Sequence, residues 1–72
     1  MNEALFTYAV LVLYANSNVF QFLSWHGTWE DAYKCAHLAY RHENIIGAQV
    51  LNFYPDHFAL LLDLQHPADY DP

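Results

Sequence analysis

Histidine and cysteine are the residues of this chain whose types suit metal binding or nucleophilic chemistry. The 72 residues include five histidines and one cysteine: His26, His37, His42, His57, His66 and Cys35. On a helix, two ligands reach one ion when they stand three or four residues apart. His37 and His42 are five apart, and Cys35 and His37 are two apart, so neither pair suits a shared ion. A zinc site of His26, His57 and a distant carboxylate is the alternative; we predict no metal site and no cofactor.

Cys35 is the only thiol that could act as a nucleophile, with His37 or His42 as its base. The helical spacing separates these side chains, and a buried free cysteine behaves as a small hydrophobe. The chain has only two glycines, which excludes a glycine-rich phosphate-binding loop, and it lacks paired carboxylates and a Gly-x-Ser-x-Gly motif. We therefore predict a structural role for Cys35, no catalytic residues and no enzymatic activity.

The charge balance narrows the classes of partner. Eight acidic residues oppose two basic ones, which gives a formal net charge of −6. Nucleic-acid binding needs a basic stripe, and anionic membranes repel this balance, so direct contact with either is not expected. An acidic surface instead keeps an apolar protein soluble, or favours a protein partner with a basic surface.

The cysteine count and the N-terminal sequence predict a cytoplasmic location. A single cysteine excludes an internal disulfide and favours a reducing compartment. The N-terminus lacks the basic residues and the cleavage site of a signal peptide. Its apolar run is also shorter than the ~20 residues of a membrane helix.

A strand is predicted at residues 5–14, before the histidines and the cysteine, and both of its faces are apolar. A half-buried strand would alternate apolar with polar residues. Turn-forming residues at 15–18 and a β-branched and aromatic stretch at 19–25 predict a hairpin. The doubly apolar strand therefore indicates one face for the protein's own helix and a second face for another chain.

A helix is predicted over residues 29–42. Thr28 suits the N-cap position, and acidic residues in the first turn complement the helix dipole. At the helical period, six residues share one broad apolar face: Trp29, Ala32, Tyr33, Ala36, Ala39 and Tyr40. The opposite stripe is charged and solvated, and Leu38 lies among its polar positions as a candidate contact for a partner.

Two more strands are predicted after the helix, at residues 45–54 and 58–64. Gly47 indicates a bulge or a close backbone approach, and a turn lies at 55–56. The last stretch is rich in leucine, so a short buried helix is the alternative. The order is ββαββ, an α+β fold with a four-stranded antiparallel sheet and one helix on one face. A single domain over 1–66 is followed by a mobile acidic tail at 67–72.

One helix covers only one face of such a sheet, and the other face is predicted to be a dimer interface. By simple alternation it carries Leu5, Leu11, Leu13, Leu51, Phe53 and Leu61. Monomers rarely expose an apolar patch larger than about 300–600 Å². We therefore expect a homodimer, formed face to face or edge to edge.

Aromatic and acidic residues outside that face indicate a second surface. Two tryptophans flank the turn between the predicted hairpin and the helix, and they either close one end of the core or anchor a partner. The predicted protein-binding residues are Trp25, Leu38, Tyr54, Asp56, Asp69, Tyr70 and Asp71. Their carboxylates would complement a basic target and speed the encounter.

In charge and architecture, the chain resembles small phage-encoded proteins that inhibit host machinery, the RNA polymerase inhibitors and the anti-CRISPR proteins. The resemblance lies in the acidic balance and in the helix start at 28–36 followed by the return strand at 45–53. It covers about a third of the chain and carries over no functional residues. It implies a non-catalytic inhibitor or adaptor that occludes a protein surface in a host cytoplasm. A self-associating assembly module and a small metal- or ligand-binding protein are the alternatives.

Overall fold

The computed structural model describes residues 7–54 and 57–65, which form one sheet and one helix. The elements are β1 (Tyr8–Tyr14), β2 (Gln21–His26), α1 (Trp29–Tyr40), β3 (Ile45–Tyr54) and β4 (His57–Gln65). The strands pair antiparallel in the order β2-β1-β3-β4. The α+β fold with order ββαββ is confirmed, and β4 is a strand rather than a helix. The predicted start of the first strand, the turn at 55–56 and the tail at 67–72 lie outside the described residues.

The start of β2 and the end of α1 differ from the predicted residues, because local hydrogen bonds compete there with regular secondary structure. The Ser17 hydroxyl accepts from the backbone N–H of Val19 at 3.1 Å, so the hairpin loop continues and β2 begins only at Gln21. At the other boundary, the backbone N–H of Arg41 donates to the Leu38 carbonyl at 3.3 Å. This tighter bond ends α1 at Tyr40, two residues before the predicted end.

The core lies between α1 and the two central strands, β1 and β3. Its helix side consists of Ala32, Ala36 and Ala39, and valines of the sheet such as Val10 and Val50 pack beneath them. Alanine lets the helix axis approach the sheet closely. The apolar face of α1 is therefore centred on its alanines, and the predicted face was too broad at one side, because Trp29 and Tyr33 are exposed on the flank.

A register shift interrupts the simple alternation that was assumed for β4. Val50 is opposite Leu62, whereas its neighbour Leu51 is opposite Leu60. Leu61 is the extra residue of this bulge. Residues directly opposite each other share a face, so Leu60 joins Leu51 on the face away from the helix.

Asn52 is a buried polar side chain in an apolar setting. It is 7% exposed, and its Oδ1 atom has no hydrogen-bond partner among residues 7–54 and 57–65. A buried acceptor without a partner loses its hydration and gains nothing in return. Asn52 is thus a site of local instability in β3.

We expect Asn52→Leu to raise the free energy of unfolding by about 1 kcal/mol, because leucine has a similar shape and no polar atom. Urea denaturation followed by circular dichroism measures the change. Asn18→Leu, in the exposed hairpin loop, is the matched control and should change stability by less than about 0.5 kcal/mol. A loss of stability in Asn52→Leu would show that the amide has a buried partner, such as a water molecule.

Candidate functional site

The sheet face opposite α1, here called the open face, has no element of the described chain packed on it. Val10, Val12, Ala48 and Val50 belong to the core under α1, and successive side chains of a strand alternate between faces. Alternation and cross-strand pairing therefore assign the residues of the open face: Ala9, Leu11, Leu13, Phe22, Trp25, Gln49, Leu51, Phe53, Leu60, Asp63 and Gln65.

Among the described residues, three aromatic rings form a cluster at one end of the open face. The ring centroid of Trp25 lies 5.4 Å from that of Phe22 and 5.4 Å from that of Phe53. These separations and the tilted geometries are those of favourable aromatic pairs. All three side chains stay accessible, at 54% for Phe22, 45% for Trp25 and 37% for Phe53. The three rings therefore pack on one another and remain exposed enough to contact another molecule.

Aliphatic side chains extend this apolar surface along the sheet. Leu11, Leu13 and Leu51 are half-buried, and Leu60 is exposed. Phe20 also packs here: a Cβ atom at Gly47 would lie 3.1 Å from the Cζ atom of Phe20. Gly47 was predicted to mark a bulge or a close backbone approach. The register of β3 against β1 shifts beside it, between the pairs formed by Gly47 and Ile45. The close neighbour is the Phe20 side chain, for which the absence of a side chain at Gly47 leaves room.

A small polar network borders the open face on β3 and β4. The Nε2 atom of Gln49 donates to Oδ1 of Asp63 at 3.2 Å, and Nε2 of Gln65 donates to the same oxygen at 3.1 Å. Two amides thus fix one exposed carboxylate. The open face thus has an apolar, aromatic end and a second end with one carboxylate and two amides.

The structure divides the predicted binding residues between two sides of the molecule. Trp25 lies on the open face, together with residues predicted for the dimer interface: Leu11, Leu13, Leu51 and Phe53. Leu38 is 61% exposed but lies on α1, on the other side of the sheet. Tyr54 is the last residue of β3. Five of the predicted positions lie outside the described residues: Leu5, Asp56, Asp69, Tyr70 and Asp71.

A cavity of about 540 Å³, widely open to solvent, lies on the helix side, where α1 meets the edge strand β2. Its walls are mostly apolar, from Tyr14, Leu23, Leu38, Ala39 and Ile45. Three groups add polar or reactive atoms to the wall: Cys35, His42 and Asn44. The other flank of α1 is filled, because the rings of Trp29, Tyr33 and His37 stack along it, with centroids 5.4 Å and 4.3 Å apart.

A hydrogen-bonded chain of Cys35, Ser24 and His26 adjoins this cavity. The Oγ atom of Ser24 lies 2.7 Å from Nε2 of His26 and 3.4 Å from Sγ of Cys35. Sequence reasoning paired Cys35 with His37 or His42 and missed Ser24 and His26. The available signal was their spacing: residues two apart in a strand point to one face, and β2 directly precedes the helix that carries the cysteine.

The described residues bring together no group of three or more histidine, cysteine, aspartate or glutamate side chains suited to a metal ion. Within that same part of the chain, no helix has the length and apolar character to cross a membrane. Comparison with protein families, curated proteins and solved structures finds no match to this chain.

Proposed function

We propose that this protein is a non-catalytic binding module that docks its open face on a partner protein and occludes that partner's surface. The observation that carries the proposal is the exposed cluster of Phe22, Trp25 and Phe53, which no described element covers. A few hot-spot residues carry most of the binding energy in protein interfaces, and tryptophan is enriched among them. The function is then that of an inhibitor or adaptor, the class implied by the resemblance to phage-encoded inhibitors.

The charges of the described residues favour a basic partner. Lys34 and Arg41 are the described cations, and both belong to α1 or its C-cap, away from the open face. The open face instead presents the carboxylate of Asp63. A partner with an apolar surface and lysine or arginine at its rim would complement this arrangement. An arginine of that partner would also gain from stacking on Trp25.

Photo-crosslinking tests the proposed surface and captures the partner in the same experiment. A photoreactive phenylalanine analogue replaces Phe22 on the open face or, as a matched control, Tyr33 on the exposed flank of α1. We expect irradiation in a lysate of the source cells to link a single basic protein to position 22 and not to position 33. The same crosslinked proteins from both positions would contradict a role for the open face.

Self-association through the open face is the second candidate function. It is favoured by the continuous apolar surface, since a two-fold dimer would cover the same patch on both copies. The net charge of −6 on each copy opposes it. Sedimentation velocity over a range of concentrations separates the two candidates. A constant monomer mass supports docking on another protein, whereas a dimer that Phe22→Asp dissociates supports self-association.

A further inference from the structure

We propose that Cys35 is a nucleophile that accepts an apolar acyl group, and that the acyl chain then occupies the cavity between α1 and β2. Two observations lead to this site: the hydrogen-bonded chain from the thiol to His26, and the apolar cavity in whose wall the thiol lies. The site lies on the opposite side of the sheet from the open face, so the inference does not depend on the proposed function.

The first step concerns how the thiol loses its proton. When Nε2 of His26 is unprotonated, the Ser24 hydroxyl donates to it across 2.7 Å and can accept from the thiol of Cys35 across 3.4 Å. If both protons shift along the chain, the thiolate accepts from Ser24, and Ser24 accepts from the imidazolium. Every hydrogen bond is kept in either state. A nucleophile connected in this way to a base is the general arrangement of covalent catalysis.

The second step identifies which group attacks. Cys35 lines the cavity and is half-buried, whereas Ser24 does not line it. Of these two residues, a molecule in the cavity therefore contacts Cys35 and not Ser24. Ser24 and His26 act through Cys35 as a proton relay and are positioning residues.

The third step concerns the class of ligand. The volume of about 540 Å³ is within the range of small-molecule sites, about 300–1,000 Å³. Most of the wall is apolar, which suits an aliphatic chain, and His42 and Asn44 offer hydrogen-bonding groups for a carbonyl oxygen. An apolar group with a reactive carbonyl, delivered as a thioester, matches both parts of the wall.

The reaction is a thioester exchange. Sγ of Cys35 attacks the carbonyl carbon, and the bond from that carbon to the departing sulfur breaks. The thiol proton passes through Ser24 to His26, which releases it to solvent, and the departing thiolate takes up a proton from solvent. The products are therefore acylated Cys35 and a free thiol. Neither an oxidant nor a reductant is needed. Cys35 keeps the group, so the reaction modifies the protein once and does not turn over.

The test is incubation of the full chain with octanoyl-coenzyme A, followed by intact-mass spectrometry. We expect one octanoyl group per chain, released by hydroxylamine and absent from Cys35→Ser. Ser24→Ala and His26→Gln should slow acylation by about 100-fold, as loss of general base catalysis does. Ser24→Thr retains the hydroxyl and should restore the rate. Acetyl-coenzyme A should react at least about tenfold more slowly, because it lacks the buried methylene groups.

Two results would overturn the inference. One is acylation of the folded chain no faster than that of the same chain unfolded in urea, which would show a thiol without activation. The other is an unchanged rate in both His26→Gln and Ser24→Ala, which would remove the relay. Circular dichroism of each variant confirms that it is folded. His37→Gln is the matched control, because His37 packs on Tyr33 on the other flank of α1 and does not line the cavity.

Discussion

Replacing Trp25 with alanine is expected to weaken binding of the partner that crosslinks to the open face by roughly 30- to 1,000-fold. Loss of a central aromatic anchor costs about 2–4 kcal/mol, and each 1.4 kcal/mol is about tenfold in Kd. Trp25 is the middle ring of its cluster, in contact with both Phe22 and Phe53. Its removal takes away its own contact with the partner and also the support for the two neighbouring rings.

Isothermal titration calorimetry of the purified pair measures this loss. Trp29→Ala is the matched control, because Trp29 is also exposed but lies at the start of α1, packed on Tyr8 and Tyr33. The control should bind the partner with nearly the affinity of the original protein. Equal affinities for Trp25→Ala and the original protein would show that the aromatic cluster does not contact the partner.

Replacing Ala36 with leucine should lower the free energy of unfolding by about 1–3 kcal/mol. Ala36 is fully buried at the centre of the contact between α1 and the sheet. An added isopropyl group has no space there and forces the helix away from β1 and β3. In a domain of this size each 1 kcal/mol shifts Tm by about 4–8 °C, and net stability is small from the outset.

Thermal denaturation followed by circular dichroism measures this effect. Ala15→Leu is the matched control, since Ala15 is exposed in the hairpin loop. Ala15→Leu adds the same isopropyl group. The free energy of unfolding of this variant should stay within about 0.5 kcal/mol of that of the original protein. An equal Tm for Ala36→Leu and the original protein would show that the helix can move away from the sheet without cost.

Local signals were sufficient to predict the elements. β3 begins and ends at the predicted residues, and α1 begins directly after the predicted N-cap, where Oγ1 of Thr28 accepts from the backbone N–H of Asp31 at 3.2 Å. Capping and periodicity are properties of neighbouring residues. The strand order β2-β1-β3-β4 is not local, because it depends on which strands pair across the intervening helix.

The candidate site was predictable only in part, because the strands contain bulges. The doubly apolar first strand indicated a face that no described element covers, and it supplied Leu11 and Leu13 to that face. Phe22 was missed because β2 contains a bulge. Val10 pairs with Ser24, whereas the next residue of β1, Leu11, pairs with Phe22. The cavity was missed for another reason: it depends on the flank of α1 beside β2 remaining unfilled, and helix periodicity alone does not reveal this.

The bulge in β2 also affects which changes of chain length the fold tolerates. Leu23 is the extra residue between the pairs formed by Phe22 and Ser24. A gene that lost this one codon would encode a strand that alternates regularly, with Phe22 still on the open face and Ser24 still toward the helix. A deletion elsewhere in the strand would exchange the two faces for every residue on one side of it. An evolutionary gap in β2 is therefore best tolerated at position 23, where every other residue of the strand keeps its face and the cavity loses one wall residue.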